Sequence, residues 1–338
     1  MSPFAPLFLS LALISPVAAP AAGLALLRTL RVGGEGRWDY ISLDPEAGRL
    51  YVPRSTRVMV LDLDGQLKGE IPGTAGVHGV AFSRELDRGW TSNGQSDTVT
   101  VFKLSTLEVL KVVATTGGNP DAILFEPATK RLFTFNGRGK NATVFDALTS
   151  EVVGTIPMGG KPEFSACDGK GRVYVNNEDT SAILAINART LKVEATWSIK
   201  PLDSPSGLAM DVKQNRLFSV GGNRLAAVVD AGTGKVLATL PIGAGTDGID
   251  FDPGTGCAYA SNGEGTVTVI RQTGPATYEV AATLPTRPSA RTIVVNPRTH
   301  RLYLPAAEFP PEPKDAKPGT RRLPVPGSFQ ILELGEAH

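Results

Sequence analysis

The stretch NPDAILFEP, residues 119–127, places an acid, Asp121, between a proline and the apolar run 122–125. A charge at the lip of an apolar strand is costly unless water or a partner reaches it. The same grammar recurs in RWDYISLDP (37–45), VHGVAFSR (77–84), KPEFSACDG (161–169), SPSGLAMDV (204–212), GTDGIDFDP (245–253) and SARTIVVNP (289–297). The residues aligned with Asp121 form a column: Asp39, His78, Asp121, Glu163, Ser206, Asp247 and Arg291. They are separated by 39, 43, 42, 43, 41 and 44 residues, the regular spacing of a repeat architecture.

Each copy carries four strand-like segments. The opening segment ends in a turn such as DPEAGR (44–49) or DPGTGC (252–257). A second strand follows, as in RLYV (49–52) or RLFTF (131–135), and then a polar loop such as SNGQSD (92–97) or SNGEG (261–265). The third segment alternates, as in TVTVFKL (98–104), and the fourth reads SEVVGTIPM (150–158) or KVLATLPIG (235–243). Four short strands per copy and seven copies predict an all-β, seven-bladed β-propeller of four-stranded antiparallel blades. The seventh copy stops after SFQILELG (328–335), and its missing fourth strand matches LALLRTLRVGG (24–34). The N-terminal strand is therefore expected in the last blade, closing the ring and removing the edges of an open array.

At this point the repeats resemble those of the YVTN-type (YncE-like) seven-bladed propellers, exported bacterial proteins. The strand motif stands here as LYVP (50–53), VYVN (173–176) and LYLP (302–305). The resemblance runs over residues 24–338 and implies the fold and export. It implies no single activity, because these motifs build the scaffold.

Residues 1–22 read as a signal peptide, with an apolar stretch 7–17 followed by small residues including Ala18, Ala19, Ala21 and Ala22. Residues 23–338 are expected to form one domain, periplasmic or secreted, monomeric, with no membrane span after the leader is removed. The formal net charge of +1 lacks the basic excess that nucleic-acid binding requires, so nucleic acid is disfavoured as a partner. Cys167 and Cys257 fall in blades four and six, which are not neighbours, so no bridge is expected between them.

In a propeller the first strand of each blade lines the central channel, so the column is expected to ring one mouth. Arg291 then lies between Asp247 and Asp39, His78 lies between Asp39 and Asp121, and Asp121 stands beside Glu163. With a neutral histidine the ring carries a formal −3. Carboxylates about 8–10 Å apart repel by about 1.5–2 kcal/mol at an effective dielectric near 20. Relief is expected from a raised pKa, a protonated His78, or a bound Ca²⁺, Mg²⁺ or other divalent cation. For the cation, His78, Asp121 and Glu163 are the candidate ligands.

Two further sets are candidate contacts. Arg54, Asn93, Asn136, Asn177 and Asn262 fall on the loops of the same face, although Asn-Gly pairs also serve turn chemistry, and Trp38, beside Asp39, is placed to stack a ring-shaped ligand or to plug a gap between blades. Blade seven carries a proline-rich insertion, 305–327, whose Glu308, Phe309, Arg321 and Arg322 are placed beside the ring. The expected function is capture of a small ligand or an envelope protein at the polar mouth. The alternatives are a metal-assisted lyase or lactonase using the acidic ring, and a structural module of the cell envelope.

Overall fold

A computed structural model describes residues 23–311 and 322–337. The expected leader (1–22), Arg321 and the middle of the insertion lie outside the described residues. Seven four-stranded antiparallel sheets are arranged as blades around one axis, each with its strands in simple sequence order except the last. The expected all-β propeller is the fold.

Burial explains why these segments are strands. Second and third strands are covered on both faces by neighbouring blades; Arg131–Asn136 and Asn141–Asp146 bury every residue between their ends. Such strands read as continuous apolar or Thr-rich runs. The outermost strands alternate, as in Lys192–Ser198, because one face meets water. Aromatic pairs join adjacent blades: Tyr51 meets Phe82 at 5.7 Å, Trp90 stacks on Phe125 at 5.5 Å, and Phe218 stacks on Phe251 at 5.5 Å. The polar residue closing most first strands, usually an acid, is a turn device. Asp44 Oδ1, for example, accepts from the backbone N–H groups of Glu46 and Ala47.

Closure follows the expected route. Leu24–Arg31 pairs antiparallel with Gln330–Glu336, from Leu24 opposite Glu336 to Arg31 opposite Gln330. Glu333 is fully buried in that seam and holds Arg28 at 2.5 Å and Arg301. Arg54 secures the exit of the same strand. Its guanidinium donates to the carbonyls of Gly33, Gly34 and Gly36 and lies 3.8 Å above the Phe329 ring. Cys167 and Cys257 are both free thiols. Among the described residues no helix is long and apolar enough to cross a membrane.

One feature of the inner strands positions the site. In five blades the pairing of first and second strands slips at the column residue: between Val77 and Val80, Pro120 and Ile123, Pro162 and Ser165, Pro205 and Leu208, and Thr246 and Gly248. A bulge leaves the extra residue out of the ladder and re-aims its side chain. It frees His78, Asp121, Glu163 and Asp247 to turn toward the axis.

Candidate functional site

The column residues Asp39, His78, Asp121, Glu163, Asp247 and Arg291 line one cavity of about 520 Å³ at the mouth, together with Trp38. Ser206 does not line it; its hydroxyl is directed to the backbone carbonyls of Val220 and Thr246. The circular order is the one the sequence implies. His78 Nδ1 is 2.7 Å from Asp39 Oδ2 and 3.5 Å from Asp121 Oδ1, and Arg291 bridges Asp247 and Asp39.

The mouth differs from an open, water-filled rim. Tyr40 of blade one and Phe164 of blade four meet across the axis with ring centroids 4.7 Å apart, and the Tyr40 hydroxyl approaches Glu163 Oε2 at 3.4 Å. The pair floors the channel and turns the mouth into a cup. Asp121 is therefore mostly buried, with its side chain 14% exposed, rather than standing at a wet lip. Its Oδ1 has no hydrogen-bond partner.

The floor has a reason in the sequence. At the position after each column residue stand Tyr40, Gly79, Ala122, Phe164, Gly207, Gly248 and Thr292. Five are small, and two of these are held small by packing: a Cβ on Gly207 would meet Asp247 O at 2.8 Å, and one on Gly248 would meet Thr292 Cα at 3.0 Å. The two aromatics fill the axis the small residues leave.

The charge balance also differs from the acidic ring expected. Lys161, two residues before Glu163, turns onto it at 2.5 Å and also onto Glu178, and Arg37 lines the cup as well. Burial alone would push the His78 imidazole down, but the hydrogen bond to Asp39 and the charges of Asp121 and Asp39 raise it to about 9. Four carboxyl groups thus face three permanent cations and an imidazolium. Burial, and then repulsion from Asp39 and Asp247, pushes Asp121 up against the pull of His78. Burial and the Asp121 charge likewise push Glu163 up, opposed by Lys161. Asp247 is raised by burial while Arg291 pulls it down.

The expected metal set of His78, Asp121 and Glu163 is replaced by another. One ligand atom each from Asp39, His78 and Asp121 lies within 4.8 Å of the others, whereas Glu163 is engaged by Lys161. An imidazole with two carboxylates suits a transition ion better than Ca²⁺ or Mg²⁺. The ion would have to displace the proton that His78 Nδ1 shares with Asp39.

The expected secondary contacts divide. Asn93, Asn136 and Asn262 are fully buried, and their amides donate to Thr98 and Thr100, to Asn141 and Thr143, and to Thr266 and Thr268. Asn177 donates to Met158 O. These four, with the buried Arg54, stitch blades and loops and do not line the cup. Trp38, Glu308 and Phe309, by contrast, line a second cavity of about 780 Å³ that shares Arg37, Trp38 and Arg291 with the cup. Gly94 leaves room for the imidazole, since a Cβ there would stand 2.6 Å from His78 Nε2.

Fold and mouth together define a seven-bladed β-propeller with a floored, charge-compensated cup at one end of its axis. Many solved chains share this architecture. One of them, described as the structure of U3-55K, superposes with a TM-score of 0.74 at 11% identity, covering 93% of this chain and 99% of that one. At that identity the likeness shows the fold alone. No protein-family model and no curated protein matches the chain.

Proposed function

We propose that this propeller is a binding module that captures a small polar molecule in the cup. The observation that carries this reading is Asp121 Oδ1, a buried acceptor without a hydrogen-bond partner, set beside a protonated imidazole above an aromatic floor. A buried acceptor that lacks a hydrogen bond costs up to about 1–3 kcal/mol, here offset in part by the 3.5 Å ion pair with His78, and a ligand hydroxyl or ammonium donating there would recover the rest. Compensated charges around it favour a polar organic molecule over a bare cation. The leader expected over residues 1–22 supports an extracytoplasmic setting for this capture.

The test is thermal melting against a panel of amino acids, sugar acids and hydroxy acids, with wild type and Asp121→Asn side by side. At least one compound is expected to raise the melting temperature of wild type and not of the variant. A panel that stabilises neither protein, or both equally, refutes the reading.

A second reading, acid–base turnover of the captured molecule as in a lyase or lactonase, is favoured by Glu163. Burial and Asp121 hold this carboxyl toward its protonated form within reach of Tyr40. Product analysis of any ligand found, with wild type and Glu163→Gln, separates turnover from capture.

A further inference from the structure

Beside the cup lies a groove of about 780 Å³ lined by Arg37, Arg287, Arg291 and Arg322, with Glu308 its single lining carboxylate among the described residues. Four guanidinium groups around one cavity are unusual unless anions neutralise them, and among the described residues Arg287 has no such partner. Arg291 is committed to Asp247 and Asp39. Arg322 donates to Pro310 O and sits 5.6 Å from the Phe309 ring centre. Arg37 donates to Arg322 O. Arg287 is exposed, and among the described residues its side chain makes no hydrogen bond or ion pair.

The apolar side of the groove is a tilted aromatic pair, with Trp38 also packed on Phe329 at 5.3 Å. Trp38 and Phe309 face each other at 5.9 Å with a 43° tilt, flanked by Pro288 and Ala307. Trp38 is only 6% exposed, yet its indole Nε1–H has no acceptor among the described residues. Buried indole N–H groups ordinarily find one. A site offering planar guanidiniums, an orphan N–H donor and aromatic faces matches an acidic group carried on a ring: guanidinium binds carboxylate or phosphate in two-point fashion, and the rings receive the planar part.

We propose that this groove binds an anionic aromatic molecule, an aryl carboxylate or aryl phosphate, with its acid toward Arg287 and Arg322 and its ring against Phe309, which Trp38 backs from the core. The proposal deepens the binding reading, on which it rests, by naming the ligand's outer half. The shared residues Arg37, Trp38 and Arg291 let the remainder of such a ligand enter the cup.

The experiment titrates the full chain with benzoate and phenyl phosphate, using benzyl alcohol and inorganic phosphate as half-probes. Binding is followed by ligand-observed NMR and by tryptophan fluorescence. Saturable binding of at least one acidic probe is expected, and the tighter of the two identifies carboxylate or phosphate as the preferred acid. Arg287→Gln, a surface change, and Arg322→Gln, which also gives up the bond to Pro310 O, should each weaken it about tenfold. Trp38→Phe should weaken it severalfold and remove the fluorescence response. The proposal is overturned if benzyl alcohol binds as well as benzoate, if inorganic phosphate binds as well as phenyl phosphate, or if neither acidic probe saturates. Failure of these probes while a panel compound still binds in an Asp121-dependent way sinks the groove and leaves the cup standing.

Discussion

The sharpest consequence of the cup concerns the protonation of His78. Its side chain is 23% exposed and contacts Asp39 and Asp121, and its pKa is lifted from 6.5 to about 9. At 1.36 kcal/mol per pKa unit, that shift corresponds to about 3 kcal/mol of preference for the imidazolium in the folded state. The folded pKa is the higher one, so this contribution is fully present below the unfolded pKa of 6.5. It is lost as pH rises through about 9. The chain has three histidines, so imidazole NMR resonances can be followed individually, with His78→Gln assigning the peak. His78 should remain protonated at pH 7.5 and titrate near 9. In denaturant unfolding, the stability lost in His78→Gln should be largest near pH 6 and should shrink by up to about 3 kcal/mol near pH 10. An imidazole titrating at or below the ordinary value would refute the compensated-charge account, and with it the preference for a polar organic ligand over a cation.

Other expectations follow from the same geometry. Gly94→Ala forces a Cβ against His78 Nε2 and should cost about 1–3 kcal/mol in an unfolding titration, while displacing the His78 resonance. Glu333→Gln leaves Arg28 and Arg301 without their buried partner in the closing seam; both arginines keep some water contact, so about 2 kcal/mol is expected. Limited proteolysis should then cut the chain between residues 24 and 34 sooner than in wild type. Ca²⁺ and Mg²⁺ should leave the melting temperature unchanged, because every carboxyl in the cup has a cationic neighbour; a saturable upward shift with either ion would contradict that balance. Tyr40→Ala should open the floor and abolish stabilisation by any compound that wild type captures in the cup.

Much of this architecture is legible before any coordinates. The spacing of the column gives the blade number, and the unmatched halves of the seventh copy give the closure. Circular order correctly seats Arg291 between Asp247 and Asp39, and His78 between that same Asp39 and Asp121. Exposure along the channel is not legible from the column alone. Asp121 sits deep rather than at a rim because Tyr40 and Phe164 block the axis. Their pairing is written one residue after the column, where the other five blades carry small side chains. Lys161 escaped notice for a related reason: it belongs to a second column, two residues earlier, that contributes Arg37, Gly76, Asn119 and Lys161 to the cup. The loop asparagines misled in the opposite direction. Turn-forming Asn on the mouth face looks like a ligand donor, but Asn93, Asn136 and Asn262 spend their amides on Thr100, Thr143 and Thr268 of the neighbouring strand. The bulges that aim the column inward have no compositional mark, since a bulge is a register event between two strands and not a property of either.

The seam between the first and last strands sets the order in which the molecule can be finished. Arg28 and Glu333 are 305 positions apart along the chain, yet they close the same blade. Six blades complete themselves from neighbours in sequence, while the seventh waits for its two halves to arrive from opposite ends. A chain still being made would carry that half-made blade, with its strand edges bare, until its last strand emerged. Assembly of the disc is thus gated by its most distant meeting, the slowest kind of contact to form, and the interval before it is when the protein is most exposed to wrong pairing.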